Sequence, residues 1–102
     1  MAVCEISVVP VGTASASVSE FVVEAQHVIR KSGLKFQLGP MGTSCEGDVE
    51  DLLRVAKEVH EACFKMGAKR VLTSIKIDDR RDKHLSMDSK LSSVEKKLGS
   101  SG

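Results

Sequence analysis

Segments that alternate with a period of two and segments striped with a period near 3.6 follow one another in the order β-α-β-β-α-β-α. That order predicts the α+β class, as a ferredoxin-like βαββαβ sandwich with an extra C-terminal helix. Right-handed crossovers fold its first six elements into one antiparallel sheet beneath two helices. The two βα units also look like a loose duplication, and no linker or low-complexity segment breaks the chain internally. With 102 residues there is material for one core and not for two. We therefore expect a single domain over 1–98 and a disordered Gly-Ser-Ser-Gly tail at 99–102.

Each element has its own signal. Over 2–10, Cys4, Ile6 and Val8 face one way and Val3, Glu5, Ser7 and Val9 the other, with Pro10 and Gly12 ending the strand. Ser17 followed three residues later by Glu20 fits a capping box for a helix over about 17–32. Val18, Phe21, Val22, Ala25, Val28 and Ile29 form its apolar stripe, and Gly33 stands where a C-terminal cap belongs. Leu34, Phe36 and Leu38 alternate with Lys35 and Gln37 in a short strand, and a second short strand is expected near 43–46. From about Asp48 to Met66 a second helix turns Val49, Leu52, Leu53, Ala56, Val59, Cys63 and Met66 inward. Its acids Asp48, Glu50 and Asp51 suit the helix dipole, and Gly67 caps it. Val71, Thr73, Ile75 and Ile77 alternate in a last strand over 70–77. A weaker helix, about 87–98, carries Met87, Leu91, Val94 and Leu98 on one side.

Composition narrows the function. Fifteen basic against 14 acidic residues leave a formal charge of +1, which gives no electrostatic case for nucleic acid. Three aromatics, all Phe, do not make a base-stacking platform. No apolar run reaches bilayer length and no basic-then-apolar leader is present, so we expect a cytoplasmic protein without a membrane partner. Cys4, Cys45 and Cys63 include no Cys-x-x-Cys pair, so reduced, mostly buried thiols are expected. His27, His60 and His84 lack any ligand spacing. No metal or cofactor is expected.

The stretch Pro40-Met41-Gly42-Thr43-Ser44-Cys45-Glu46-Gly47-Asp48 is the most informative. Pro40 fixes its own φ and pushes Gly39 to extended conformations, while Gly42 and Gly47 can adopt φ > 0. The run reads as a hairpin whose brief second strand leads straight into a helix. Thr43, Ser44 and Glu46 would then converge beside a helix start. An equally good reading makes it a tight connection with a polar skin. Cys45 beside Glu46 near that helix start could in principle be an activated thiol, but no histidine is close in sequence and packing is the better account. Gly42-Thr43-Ser44 lacks the lysine and glycine spacing of a phosphate loop. In the run from Asp78 to Lys83 the charges largely cancel, as in a solvated loop; Arg81 and Asp82 could also hold each other and a ligand.

The sheet face away from the helices would carry Val3, Glu5, Ser7, Val9, Lys35, Gln37, Arg70, Leu72, Ser74 and Lys76. It is too apolar to be solvated and too polar for a core. Burial against a second copy satisfies both, so a homo-oligomer through this face is expected.

Three blocks, in order, carry a resemblance: Val8-Val9-Pro10-Val11-Gly12-Thr13 with Ser17, Pro40 to Gly47, and Thr73 to Lys83. Together they resemble the thiamine-binding protein family over about 2–98. The last block departs somewhat from the common Gly-Thr-Arg-x-Asp-Lys, while Asp82 and Lys83 fit. The resemblance implies a ferredoxin-like subunit assembled as a homotetramer, and in some members a non-catalytic site for thiamine or its hydroxymethylpyrimidine portion, serving salvage, transport or sensing. An aminopyrimidine needs a carboxylate or carbonyl opposite its amine and hydroxyls or N–H groups for its ring nitrogens. Glu46, Thr43 and Ser44 offer that set, Ser7 could join from the first strand, and Val9, Leu38 or Met41 could wall the ring. The rival reading is a homo-oligomeric structural or regulatory module with no small ligand. A weaker third is an enzyme using Cys45 or Glu46.

Overall fold

Strand pairing sets the architecture of the computed structural model, which describes residues 1–12 and 18–101. The elements are β1 (Ala2–Pro10), α1 (Val18–Lys31), β2 (Lys35–Leu38), β3 (Thr43–Gly47), α2 (Val49–Lys65), β4 (Val71–Asp79) and α3 (Met87–Ser101). The sheet has the order β2-β3-β1-β4, antiparallel throughout, which is the ferredoxin-like arrangement with one added helix. α3 continues to Ser101, into residues expected to form a tail. The proposed cap Ser17 lies outside the described residues.

Pleating sorts the side chains. Cys4, Ile6 and Val8 of β1 and Cys45 of β3 point to the helices and are buried with Phe21, Ala25 and Ile29 of α1 and Leu52, Val55, Ala56, Val59 and Cys63 of α2. The α2 stripe is rotated from the expected one. Val55 is fully buried and Leu53 is 49% exposed, because a 3.6-residue turn that seats Leu52 and Val59 against the sheet carries Leu53 past it. Gly33 and Gly67 take φ of 78° and 103°, which ends each helix with a left-handed residue.

Gly42 and Gly47 are needed for proximity rather than for positive φ. A Cβ on Gly42 would come within 3.1 Å of the Ile6 carbonyl oxygen, and one on Gly47 within 3.1 Å of Leu34 Cδ2. The β2–β3 turn, closed by the Gly39 N–H donating to the Gly42 carbonyl at 2.8 Å, is thereby pressed onto β1.

α3 starts against the outer sheet face. Ser86 and Ser89 cap it reciprocally, the Ser89 N–H donating to Ser86 Oγ at 3.0 Å and the Ser86 N–H to Ser89 Oγ at 2.9 Å. Leu85 and Met87 cover Val3 in a small second cluster. Lys35 pairs with Asp88 and Lys90 with Asp78, so the first turn of α3 is tied to both edge strands, β2 and β4. Only the Val3 end of the outer face is covered in this way. Val9 and Leu72, at the other end, stay exposed.

Candidate functional site

β1 is nine residues long and β3 five. Their ladder therefore ends at Ile6↔Thr43, whereas β1 pairs with β4 as far as Pro10↔Val71. Where β3 is missing, the β2–β3 turn and α1 close over a cavity of about 260 Å³. Val18, Val22, Ala25 and Ile29 form its α1 side, Ile6 and Val8 its floor, and Leu38, Pro40 and Met41 its rim. Among the described residues that line it, none carries an ionisable side chain. The polar side chains among the described lining residues are Ser7, Gln26 and Thr43, and two of them are joined: Gln26 Nε2 donates to Thr43 Oγ1 at 2.8 Å. The other end of that amide, Oε1, is buried without a hydrogen-bond partner among the described residues. Turning the amide over would leave its nitrogen without a partner instead, so among the described residues one end goes unsatisfied in either assignment. An orphan of this kind costs about 1–3 kcal/mol until something bonds to it.

The sequence-derived candidates divide between two places. Thr43, Leu38, Met41, Ser7 and Val9 all border this cavity. Ser44 and Glu46 do not. Thr43 and Cys45 face the helices, so the residues between and after them face the opposite side of the sheet. The expected set of Glu46, Thr43 and Ser44 around one ligand is therefore not assembled within this chain. Glu46 is already engaged, since its Oε2 accepts the Met87 N–H at 2.8 Å and anchors the start of α3. Arg81 and Asp82 do not hold each other: Arg81 bonds Asp79 at 2.8 Å and Arg80 bonds Asp82 at 2.7 Å. These exposed pairs hold both carboxyls below the usual range through hydrogen bonds from the guanidiniums. They also follow the end of β4 that pairs with Ala2, whereas the cavity lies beside Ile6–Val9. At about 3.3 Å per residue these are opposite ends of β1.

Cys45 is fully buried on the helix side, paired across the ladder with Cys4. Its hydrogen bond with Cys4, and then burial, push its thiol up, which is the reverse of an activated nucleophile. His60 Nδ1 lies 2.7 Å from Thr73 Oγ1, with the His60 ring edge-on to Phe64. Among the described residues no group of three or more His, Cys, Asp or Glu is placed to hold a metal ion, and no helix is long and apolar enough to cross a membrane.

Gln26 was not among the residues the sequence singled out. The signal was present, because Val18, Val22, Gln26 and Ile29 continue one helical stripe, so an amide occupies an apolar position.

Residues 4–95 match the family described as thiamine-binding protein. The UPF0045 protein YqgV of Bacillus subtilis is 42% identical over 102 residues, covering 96% of this chain and 98% of its own. A UPF0045 protein of Methanothermobacter thermautotrophicus is 37% identical over 96% of this chain and its own full length. Among solved structures, the hypothetical protein MJ1052 of Methanocaldococcus jannaschii superposes with a TM-score of 0.85 at 37% identity, over 92% of this chain and 95% of that one. A putative thiamine biosynthesis/salvage protein of Thermotoga maritima does so with a TM-score of 0.78 at 26% identity, over 91% and 97%. With the same fold and a matching family pattern along nearly its whole length, this chain belongs to the thiamine-binding protein family.

Proposed function

We propose that this protein is a non-catalytic binding protein for thiamine or its hydroxymethylpyrimidine portion, acting in the cytoplasm in salvage, transport or sensing. The observation that carries the reading is the Gln26–Thr43 pair, half-satisfied among the described residues, inside a mostly apolar cavity. Such a site suits a neutral flat ring with hydrogen-bonding edges, and the orphaned amide end gains its missing partner on binding. At about 260 Å³ the cavity is small for a ligand pocket, below the roughly 300–1,000 Å³ usual for drug-sized molecules. It fits one ring inside, with the charged thiazolium half of thiamine left at the Leu38–Met41 rim. The family and the Thermotoga relative point to the same ligand class.

Calorimetric titration of thiamine and of hydroxymethylpyrimidine into the wild type and Gln26→Leu tests this. Binding to the wild type that weakens at least tenfold in the variant is expected. Absence of heat from both ligands with the wild type defeats the reading.

The alternative of a homo-oligomeric structural or regulatory module rests on the outer sheet face, where Leu72 is 63% exposed and Val9 44%. We propose self-association through this face as a homotetramer. Glu5 and Lys76 are cross-strand neighbours there, so the patch carries both signs of charge and can meet a second copy of itself. A protein that assembles normally and binds neither ligand would support the module reading alone.

A further inference from the structure

Which atoms would read a ligand in this cavity follows from the parity of β1. The Val11 N–H donates to the Arg70 carbonyl at 2.9 Å. In an antiparallel pair, residues two apart direct their main-chain groups to the same neighbour. Val9, Ser7, Glu5 and Val3 therefore bond to β4, and Ala2, Cys4, Ile6 and Val8 present their N–H and C=O groups to the β3 side. Ala2, Cys4 and Ile6 meet Gly47, Cys45 and Thr43 there. Val8 comes next, and the ladder has ended. The residue that would face it by register is Met41, which lies in the turn and outside the strand. Outside the strand ladders, no backbone hydrogen bond among the described residues involves Val8, and by parity its groups point away from β4. Val8 is buried and lines the cavity. Pro10, the next residue of the same parity, has no N–H to offer.

One main-chain donor and one acceptor, side by side and on a rigid strand, thus edge the cavity that also holds the unsatisfied end of Gln26. We propose that the Val8 N–H and C=O act as a one-residue strand edge that pairs with a flat neutral heterocycle bearing a ring acceptor beside an amine donor, and that Gln26 takes up a further ligand hydrogen bond. The inference rests on the proposed binding function and specifies its chemistry. An aminopyrimidine has this edge: a ring nitrogen accepts from Val8 N–H while the neighbouring amine donates to Val8 C=O. Main-chain recognition leaves no signature in side-chain identity, and its specificity comes from the position at which β3 begins.

The test is a comparison of three rings by calorimetry: hydroxymethylpyrimidine, the same ring with its amine replaced by hydrogen, and the same ring with its amine dimethylated. The parent should bind, and both altered rings should bind at least about tenfold more weakly, the effect of losing one hydrogen bond and leaving its partner buried. On the protein side, Val8→Pro deletes the N–H at a position where no ladder bond is lost, and should weaken the parent similarly while the circular dichroism stays native. If Val8→Pro does not fold, the ring series decides. Parent binding with all three rings within twofold of one another overturns the Val8 assignment and leaves the pocket reading standing. No binding of the parent to the wild type removes both.

Discussion

At Gln26 a single amide is asked to bond in two directions and is answered in one by the described residues. Thr43 supplies one partner, and apolar side chains from Val18, Val22, Ile6 and Val8 surround the rest of the cavity. Replacing Gln26 by Leu removes that unsatisfied end but strips the buried Thr43 hydroxyl of its partner, so the two effects offset and the variant's stability should stay within about 1 kcal/mol of the wild type while ligand affinity falls. Thermal unfolding beside calorimetry checks that separation of stability from affinity, which a merely structural glutamine would not show. Glu46 makes the contrasting case. Its carboxylate accepts the Met87 N–H on the other side of the sheet. Glu46→Ala should cost about 1 kcal/mol, the usual value of a lost helix-start bond and dipole contact. Urea unfolding would show the loss, with ligand affinity unchanged. In the core, Leu52 is wholly buried and Leu52→Ala should cost about 2–5 kcal/mol in the same assay.

Along α3, Met87 at the start is the buried apolar side chain among the described residues. Its start is secured by the Ser86–Ser89 cap, the Glu46 carboxylate and two ion pairs, while Leu91, Val94 and Leu98 further along remain exposed. The Lys35 ammonium is raised by its hydrogen bond to Asp88, so the stability this pair contributes is complete below the ordinary lysine value. It is lost as pH climbs through the raised one. Asp79 and Asp82 have the opposite sign, contributing above the ordinary carboxylate range and losing the contribution as pH falls through their lowered values. All these pairs are solvent-exposed, so each effect is small and screened by salt. Nuclear magnetic resonance shifts of the first turn of α3 should move toward coil values between neutral and alkaline pH, and Lys35→Met should remove that pH dependence.

For the whole molecule, the question is what meets the uncovered half of the outer face. Sedimentation of the wild type should show an assembly larger than the monomer, and Leu72→Lys should dissociate it. A wild type that sediments as a monomer at all concentrations would contradict the proposed tetramer. Leu72 does not line the cavity, although Val9 borders both cavity and patch, so the dissociated variant should still bind the pyrimidine ring.

The alternation of β1, the stripes of α1 and α2, and the glycine stops at Gly33 and Gly67 are local patterns, and their order was enough to specify a ferredoxin-like sandwich. The family was legible too, in the three blocks that run in order along the chain. The site was legible only in part. Thr43, Leu38, Met41, Ser7 and Val9 do border one cavity, but Thr43 and Glu46, three residues apart, fall on opposite faces because a strand reverses its side chains at every step. Gln26 and the main chain of Val8 acquire their meaning from where β3 begins relative to β1, which is a relation between distant segments. Short-range periodicity can tell which way a side chain points. Only packing decides which polar groups are left without a partner.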